Sequence, residues 1–339
     1  MTDRSNHPTS EYTVEVDAPA RLHLGFLDLH GGLGRRFGSI GLTIDSLTTH
    51  LHAEPSAEIT ASGQGAQRAL EYARSYIDAR GIQGGVHINL LQTIPDHIGL
   101  GSGTQMALAV GTAIERLYRG ERDSAAIART LNRGRRSGIG IGAFEQGGFI
   151  LDSGRGEERE VPPVAVRLPF PENWRVLLLF DTRDQGLHGK EELSAFSELP
   201  EFPEQAAAHL CRLVLMQVLP GVLESHLEPV TQAIGEIQRV VGDHFSPAQG
   251  GRFTSPVIAA ALHWIKAQGH PGIGQSSWGP TGFVLLKDAA QGERLAQDLK
   301  QHFGEFSSFR CQLVTARNQG AEVTLLRKPT RLRQEKRAR

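Results

Sequence analysis

Pro95-Asp-His-Ile-Gly-Leu-Gly-Ser-Gly-Thr-Gln105 is the stretch of sequence that decides the fold. Its alternating glycines permit positive φ angles and let the backbone approach a ligand closely. Apolar residues at helical spacing follow and predict a helix over Met106 to Arg119. From about Thr104 that helix would point its free N–H groups and its dipole at the loop. The stretch therefore predicts a phosphate or diphosphate site.

The loop offers both backbone and hydroxyl groups to such an anion. No Gly-Lys-[Ser/Thr] follows the glycines, which excludes a Walker A loop, and the spacing does not match the dinucleotide fingerprint. A glycine-rich turn from strand to helix that binds nothing is the structural alternative. The predicted phosphate ligands in the loop are Gly99, Gly101, Ser102, Gly103, Thr104 and Gln105.

Composition indicates a globular chain with no strong global field. The 339 residues carry a formal net charge of −1, with 22% charged and 39% hydrophobic residues. This balance argues against nucleic acid and against an anionic membrane surface as partners. Two cysteines without metal-ligand spacing fit a reducing compartment. The polar start has no apolar core of a signal peptide, and no long apolar run stands out, so we expect a cytoplasmic protein.

The order of predicted elements divides the chain into two domains. Strands and helices mix without a regular βαβ alternation, which favours an α+β fold over a doubly wound sheet. A charged, proline-bearing stretch from Gly154 to Pro171 marks the boundary. We therefore predict a disordered leader over 1–11, an N-terminal domain over 12–160, a C-terminal domain over 172–326 and a basic tail over 327–339. A solvated end is the preferred interpretation of the tail.

Three separated motifs resemble those of the GHMP small-molecule kinase superfamily, in the expected order. Pro95 to Gln105 resembles the second motif, and Gly274-Gln-Ser-Ser-Trp-Gly-Pro280 resembles the third. Ala18-Pro-Ala-Arg-Leu-His-Leu-Gly-Phe-Leu-Asp28 occupies the place of the first. The resemblance covers residues 13–326 and implies the two-domain GHMP-kinase-like fold.

One branch of that superfamily is the most similar, the β-ribofuranosylaminobenzene 5′-phosphate synthase family. The segments that indicate it begin in the first motif and continue through the glycine-rich stretch Arg135 to Phe149 and through Gly186 to Glu192. The resemblance implies that phosphoribosyl diphosphate reacts with 4-aminobenzoate or 4-hydroxybenzoate. The products would be the ribosylated aniline or phenol 5′-phosphate, carbon dioxide and diphosphate, early in tetrahydromethanopterin synthesis. Fold alone would point to a different reaction.

The donor requires a cradle for each of its two phosphate groups. The glycine loop suits one of them. Arg21, Arg35 and Arg36 are the candidates for the other, because guanidinium groups bind phosphate bidentately. A solvated loop is the alternative for the pair at 35 and 36, whereas Arg21 lies within an apolar strand.

Loss of diphosphate leaves positive charge on the ribose, which a nearby carboxylate would stabilise. Asp28 is the first candidate and Glu145 the second, and Asp28 is also the candidate ligand for a Mg²⁺ ion that bridges the diphosphate. A turn residue before Gly31 is the alternative for Asp28. The stretch after the second motif reads Ala143-Phe-Glu-Gln-Gly147, without the Asp that many kinases of the superfamily use as a base.

The aromatic acid must be held by its carboxylate and shielded from water until the new bond forms. The candidates for that pocket are His23, which is also a candidate catalytic residue, His188, Gly274, Ser276, Ser277, Trp278 and Gly279. An ordinary core or surface position is the alternative for each histidine, and simple packing is the alternative for Trp278.

Two other functions share these features. An ATP-dependent GHMP small-molecule kinase would use the same loop and helix, and consumption of ATP with an acceptor would identify it. A non-catalytic ligand sensor would bind stoichiometrically without turnover. A homodimer is a further possibility that the sequence leaves open.

Overall fold

The structure, a computed structural model, describes residues 11–121, 123–157, 161–183 and 199–328. Most of the predicted leader, most of the predicted basic tail, and His188 with the segment from Gly186 to Glu192 lie outside the described residues.

The first half of the chain builds most of one sheet and four helices. Its elements are β1 (Tyr12–Asp28), β2 (Arg35–Ser56), β3 (Thr60–Ser62), α1 (Ala66–Arg80), β4 (Gly85–Gln92), α2 (Ser102–Leu117), α3 (Ser124–Thr130), α4 (Ile139–Glu145), β5 (Phe149–Asp152), β6 (Arg155–Gly156) and β7 (Val164–Leu168).

The second half builds a smaller sheet with its own helices. Its elements are β8 (Arg175–Asp181), α5 (Glu204–Leu213), a π-helical turn (Val214–Val218), α6 (Leu219–Leu223), α7 (Leu227–Gln249), α8 (Pro256–Ala267), β9 (Ile273–Gln275), β10 (Gly282–Leu286), α9 (Ala289–Phe303), β11 (Phe309–Val314) and β12 (Glu322–Arg327). The mixture of helices and sheets confirms the predicted α+β class.

The first sheet is organised around a long antiparallel hairpin of β1 and β2. Its strand order is β12-β1-β2-β4-β3, and β5 and β7 extend it from β2. Helices α1 and α2 cover it through a core that includes Tyr76, Leu51 and Ile114. The second sheet has the order β11-β8-β10-β9 and packs against α8 and α9.

A third apolar cluster joins the two halves. It unites Leu22 and Leu24 of β1 with Ile234 and Ile237 of α7. The backbone of Gly25 approaches α7 so closely that a Cβ there would lie 2.6 Å from a methyl carbon of Ile237. The second half of β1, which carries the first motif, therefore lies at the junction of the two halves.

Most predicted elements are present, and the differences have local causes. Helix α2 begins at Ser102 rather than Thr104, because Gly101 adopts φ +85° and starts the helix directly after the turn. The sequence analysis missed α7, a helix of 23 residues. Two prolines and two glycines interrupt its helical pattern, yet Pro229 falls in the first turn, where its missing N–H costs nothing.

The helical stretch Glu204–Leu223 is long and apolar enough to cross a membrane by length and composition, with a mean hydropathy of 1.6. The sequence predicts a helix here, around Glu204 to Leu219. Its residues 207, 210, 214, 218 and 222 are buried in the core at helical spacing. This one-sided burial is that of a helix packed on a protein core.

The last strand returns to the first sheet. Strand β12 pairs antiparallel with β1, with Tyr12 opposite Arg327 and Asp17 opposite Glu322. The chain thus forms most of the first sheet, then the second sheet, and its last strand completes the first sheet. The division into 12–160 and 172–326 stays a prediction.

Candidate active site

The glycine loop leads directly into the N-terminus of α2. Gly99 and Gly101 both adopt φ +85°, a conformation that a residue with a side chain adopts only with strain. The first helical N–H groups, those of Ser102 and Gly103, have no carbonyl partner within a helix. The first turn carries no acidic residue. The positive end of the helix is therefore available to an anion.

The third motif packs directly against this loop. A Cβ on Gly99 would collide with the carbonyl oxygen of Ser276, and a Cβ on Gly279 would collide with the backbone of Ile98. Glycine is required at both positions because two backbones meet there. The structure thus brings the predicted second and third motifs together.

Arg21 holds the loop from the side of the first motif. Its Nη1 donates to the carbonyl oxygen of Gly99 at 2.6 Å, and its backbone N–H donates to that of Leu100 at 3.1 Å. A Cβ on Gly101 would lie 3.2 Å from Cζ of Arg21. Arg21 therefore shapes the loop and brings a positive charge to it.

Arg133 is a second cation at the loop, and the sequence analysis did not name it. Its Cζ would lie 3.6 Å from a Cβ on Gly103, and its guanidinium lies over the ring of Tyr72 and donates to the Tyr72 hydroxyl. Its buried Nε has no hydrogen-bond partner in the part of the chain that the structure describes. A cation at the positive end of a helix is unfavourable unless an anion lies between them. The three arginines in Asn132-Arg-Gly-Arg-Arg136 were the available signal.

His23 joins the same network through its backbone. Its N–H donates to Oγ of Ser276 at 3.0 Å, and that hydroxyl donates to the carbonyl oxygen of Gly99 at 2.8 Å. Ser276 is fully buried. One hydroxyl therefore links all three motifs, and Ser276 acts on the backbone of the loop.

The ring of His23 is buried beside a small cavity. Only 4% of the residue is exposed, and its Nε2 has no partner among the described residues. Burial, helped by the positive charge of Arg21, lowers the pKa of His23 to about 3, so the ring is neutral near pH 7. The cavity beside it measures about 40 Å³, enough for water but too small for an aromatic ring.

The remaining candidates of the third motif surround this small cavity. Trp278 is buried, with its ring centroid 4.5 Å from that of Phe245, so it packs in the core. Gly274 lies against the side chain of Gln238. Ser277 is partly exposed and adopts φ +56°. The contacts of Trp278 and Gly274 are those of packing.

Asp28 ends β1 at the turn of the hairpin. Its Oδ1 accepts the N–H of Gly31 at 2.8 Å, which is the turn interaction considered as the alternative. It also lines a cavity of about 290 Å³ next to Arg35 and Arg36. Asp28 is thus a turn residue that faces a cavity.

The structure separates Arg21 from Arg35 and Arg36. Arg21 pairs with Thr43 on β2, and Thr43 is seven positions from Arg36 along the strand, which is about 20 Å of extended chain. The three arginines cannot clamp one phosphate. Arg35 and Arg36 instead join Arg155 around a second, exposed cavity of about 420 Å³.

Asp152 is a buried carboxylate that the sequence analysis passed over. It accepts from the hydroxyls of Ser39 and Ser137 and from the N–H groups of Gly138 and Gly154. Burial raises the pKa of Asp152, although the hydrogen bonds from these donors lower it. The carboxylate thereby fixes the start of α4 to β2 and β5.

Glu145 lies at the opposite end of α4 from the loop. The start of α4 contacts the loop: Gly140 packs on Thr104, and its carbonyl oxygen accepts from Nε2 of Gln105 at 2.8 Å. Glu145 ends the helix, exposed, beside Ser124. The structure does not bring Glu145 to Asp28 or to the loop.

No group of three or more His, Cys, Asp or Glu side chains that could hold a metal ion occurs in the part of the chain that the structure describes. Asp28 alone would offer a single carboxylate, and one of its oxygens already accepts from Gly31. These residues do not form a metal site by themselves.

Two family models match the chain. The GHMP kinases N terminal domain matches residues 65–148, which include the glycine loop, α2 and α4. The GHMP kinases C terminal domain matches residues 218–305, which include α7 and the third motif. The predicted GHMP-kinase-like fold is therefore confirmed.

Curated relatives extend the match over most of the chain. The beta-ribofuranosylphenol 5'-phosphate synthase of Methanothermobacter thermautotrophicus is 30% identical over 80% of this chain and 88% of its own. The protein of the same name from Archaeoglobus fulgidus is 30% identical over 91% of this chain and 99% of its own. Among solved structures, a homoserine kinase from Cytophaga hutchinsonii has a TM-score of 0.64 at 19% identity, covering 96% of this chain and 99% of its own, which shows the fold alone.

Proposed function

Because the chain belongs to the beta-ribofuranosylphenol 5'-phosphate synthase family of the GHMP kinase superfamily, we propose that it transfers a phosphoribosyl group to an aromatic acid with loss of carbon dioxide. The donor is phosphoribosyl diphosphate, and the acceptor is 4-hydroxybenzoate or 4-aminobenzoate. The observation that carries the proposal is the match to these synthases along most of the chain. Membership in a synthase family supports a transferase rather than a kinase.

The identity of the acceptor is a second part of the proposal. The name of the relatives specifies a ribosylated phenol, which favours 4-hydroxybenzoate. 4-Aminobenzoate, the first expectation from the sequence, would give the ribosylated aniline. Both acids have an electron-donating group para to the carboxylate, so the same attack is available to each.

The N-terminus of α2 is the proposed site for the diphosphate of the donor. The N–H groups of Ser102 and Gly103 would bind its oxygens, with hydroxyl contacts from Ser102 and Thr104. Arg21 and Arg133 bring positive charge to either side of the loop. The cluster of Arg35, Arg36 and Arg155 is the proposed site for the 5′-phosphate.

The reaction balances without an external oxidant or base at the ring carbon. The ring carbon that bears the carboxylate forms a bond to C1 of the ribose, while the C1–O bond breaks and its electron pair leaves with the diphosphate. The bond to the carboxylate then breaks, and its pair restores the aromatic ring as carbon dioxide departs. The residues must therefore stabilise positive charge on C1 and position the acceptor.

Asp28 remains the proposed carboxylate for that charge. Its Oδ1 is held by Gly31, so the group is fixed in orientation beside the cavity. A fixed carboxylate stabilises developing charge better than a mobile one, because it needs no reorganisation. Glu145 is the weaker candidate, since it lies at the remote end of α4.

Mg²⁺ stays part of the proposal only as an ion that accompanies the diphosphate. The described residues offer no cluster of ligands for it. No step of the mechanism above depends on its position in the protein.

The proposal also places the reaction in tetrahydromethanopterin biosynthesis, in the cytoplasm, with small molecules as partners. A homodimer stays possible. An ATP-dependent kinase and a ligand sensor are the competing proposals, because the superfamily fold is shared by kinases.

One experiment separates the three proposals. Purified protein is incubated under reducing conditions with Mg²⁺, phosphoribosyl diphosphate and carboxyl-labelled 4-hydroxybenzoate or 4-aminobenzoate. We expect labelled carbon dioxide and an equal amount of diphosphate. Consumption of ATP with an added acceptor alcohol, without release of carbon dioxide, would support a kinase. Stoichiometric binding without either product would support a sensor.

A further inference from the structure

The cavity of about 290 Å³ beside the β1–β2 turn has mostly apolar walls. One side comes from the hairpin and from β5, and the other comes from the end of α5, the π-helical turn and the start of α6. Its apolar wall residues are Leu27, Leu33, Leu151, Val214, Leu215 and Leu219.

Two leucines at the rim of this cavity are unusually exposed. Leu33 is 86% exposed at the hairpin turn, and Leu215 is 64% exposed on the π-helical turn. Exposed leucines that line a concave surface are typical of a binding site, whereas scattered ones need no explanation. An apolar ligand in the cavity would remove both from water.

Two arginines border the apolar walls. Arg35 donates through Nε to the carbonyl of Ser153 at 2.8 Å and through Nη2 to that of Gly154 at 2.6 Å. Arg36 donates through Nε to the carbonyl of Leu29 at 2.9 Å. Backbone carbonyls orient these guanidinium groups but do not neutralise them. The cavity therefore combines an apolar interior with cationic groups at its border.

Two carboxylates also face the cavity, and both are engaged. Asp152 accepts from four donors of the surrounding chain, so it is already stabilised. Asp28 accepts from Gly31. An entering anion would therefore approach the side of the two arginines.

The size of the cavity suits one aromatic ring with small substituents. An apolar cavity of about 150 Å³ is sufficient to hold benzene. A volume of about 290 Å³ leaves room for a carboxylate and a para substituent. The cavity beside His23, at about 40 Å³, cannot hold the ring without rearrangement.

We propose that this cavity binds the ring of an aromatic monocarboxylic acid, with the leucines on its faces and its carboxylate at Arg36. The inference rests on the proposed function for the identity of the acid. The proposed binding position of the acceptor is therefore beside Asp28 rather than beside His23 and Trp278. Arg36 also borders the exposed basic cavity, so the carboxylate of the acid would lie between the two cavities.

A chain of direct contacts connects this cavity with the glycine loop. Thr104 packs on Gly140 at the start of α4, and the N–H of Gly138 donates to Asp152 in the cavity wall at 2.9 Å. Only the first turn of α4 therefore separates the two places.

The two cysteines provide a direct test that needs no turnover. Cys211 lines the cavity, and burial together with the charge of Asp28 raises the pKa of its thiol. Cys311 lies in the second sheet and is the internal control. The protein is alkylated at pH 8.5 with increasing 4-hydroxybenzoate or 4-aminobenzoate, and mass spectrometry follows each cysteine. We expect labelling of Cys211 to slow at least fivefold and that of Cys311 to be unchanged.

A matched pair of leucine variants tests the apolar wall. Leu215 and Leu223 are 64% and 65% exposed on the same helical stretch, but only Leu215 lines the cavity. Leu215→Gln should raise the dissociation constant of the acid about tenfold, as expected from the loss of buried apolar area. Leu223→Gln should leave it within twofold. Equal effects in both variants, or no effect in either, would overturn the proposal.

The role of Arg36 is tested by ligand charge. Arg36→Gln should weaken binding of 4-hydroxybenzoate at least tenfold, and should change binding of the neutral 4-hydroxybenzamide less than twofold. An equal loss for both ligands would mean that Arg36 does not bind the carboxylate and would overturn that part of the assignment.

Failure of the inference and failure of the proposed function give different results. Carbon dioxide release with unprotected Cys211 at a saturating acid concentration would overturn the cavity and keep the function. Protection of Cys211 and loss of binding in Leu215→Gln, without carbon dioxide release under any condition, would support the cavity and reject the function.

Discussion

The hydroxyl of Ser276 donates to the carbonyl oxygen of Gly99 at 2.8 Å while it accepts the N–H of His23 at 3.0 Å. Residues that lie 177 and 253 positions from Ser276 in the sequence thus share one buried oxygen. The geometry of the glycine loop therefore depends on both halves of the chain. Ser276, a predicted substrate ligand, contacts the backbone that would hold the phosphate.

Ser276→Ala should weaken donor binding without removing a substrate contact. Loss of the bridge leaves the N–H of His23 and part of the charge on the Gly99 carbonyl unsatisfied, at a cost of about 1–3 kcal/mol of unfolding free energy. We expect the dissociation constant for pyrophosphate, measured by calorimetry, to rise several-fold. Ser276→Thr, which retains the hydroxyl, should recover part of the affinity. An affinity that Ser276→Ala leaves unchanged would contradict the coupling.

Gly101→Ala tests the approach of the ligand to the loop against a matched glycine. Gly101 and Gly81 both have positive φ, and a Cβ on Gly81 meets nothing within 4 Å. Each alanine variant should lose about 1–2 kcal/mol of unfolding free energy from backbone strain. Only Gly101→Ala should also lose pyrophosphate affinity, because its Cβ lies beside Arg21. A similar affinity in the two variants would remove the loop from the site.

Arg133→Met tests the cation that the sequence analysis missed. A charge-assisted hydrogen bond to an anion contributes about 1.5–3 kcal/mol, so pyrophosphate affinity should fall by roughly tenfold to a hundredfold. Arg129→Met, which removes an exposed charge from α3, is the control for net charge. If the two variants bind pyrophosphate equally well, Arg133 has only the structural contact with Tyr72.

Asp28→Asn tests the carboxylate at the hairpin turn. The amide oxygen can still accept from Gly31, so the turn should survive and the melting temperature should change little. Loss of the charge should lower turnover on the order of a hundredfold, with a smaller change in Michaelis constants. Unchanged turnover would leave Asp28 as a turn residue. A loss of stability together with turnover would point to a structural role.

His23 should make the protein less stable in acid. Its pKa is about 3 in the folded protein and near 6.5 when unfolded, so the unfolded chain binds more protons between these values. Stability is therefore lost as pH falls below about 6.5, by about 2 kcal/mol between pH 7 and pH 5. Denaturant titrations at the two pH values should show a smaller difference for His23→Gln. An identical pH dependence in the variant would mean that His23 is not buried as a neutral ring.

Sequence patterns predicted the loop and its helix well because the signals there are local. Glycine conformations and helix periodicity depend on near neighbours, and Gly99, Gly101 and the start of α2 follow from them. Helix α7 was missed because tertiary contacts override its breakers: Gly235 lies against Pro271 and Gly242 against Arg252. Such contacts are invisible in a local window.

Site residues were harder to predict because their roles depend on distance. Arg21 and Arg36 have the same chemistry, yet Arg21 lies in the middle of the hairpin and Arg36 lies at its turn. Arg133 lies in a short basic segment, and only its tertiary contact with Tyr72 brings it beside the loop. Asp152 ends a short strand with no distinctive motif, and only its contact with the start of α4 shows its role. The predicted loop residues lie at the start of α2, where their role as phosphate ligands stays a prediction. The predicted pocket residues Trp278 and Gly274 are packed in the core.

The pairing of β12 with β1 has a consequence for how the chain matures on the ribosome. The first strand emerges early, but the strand that covers its outer edge is about 300 residues further along the chain. Until then that edge exposes unpaired N–H and C=O groups, which invite pairing with neighbouring nascent chains. The first sheet therefore cannot be completed during synthesis until the second sheet has been made. Strand β12 covers this edge, and a ribosome that stalls before β12 would release an aggregation-prone product.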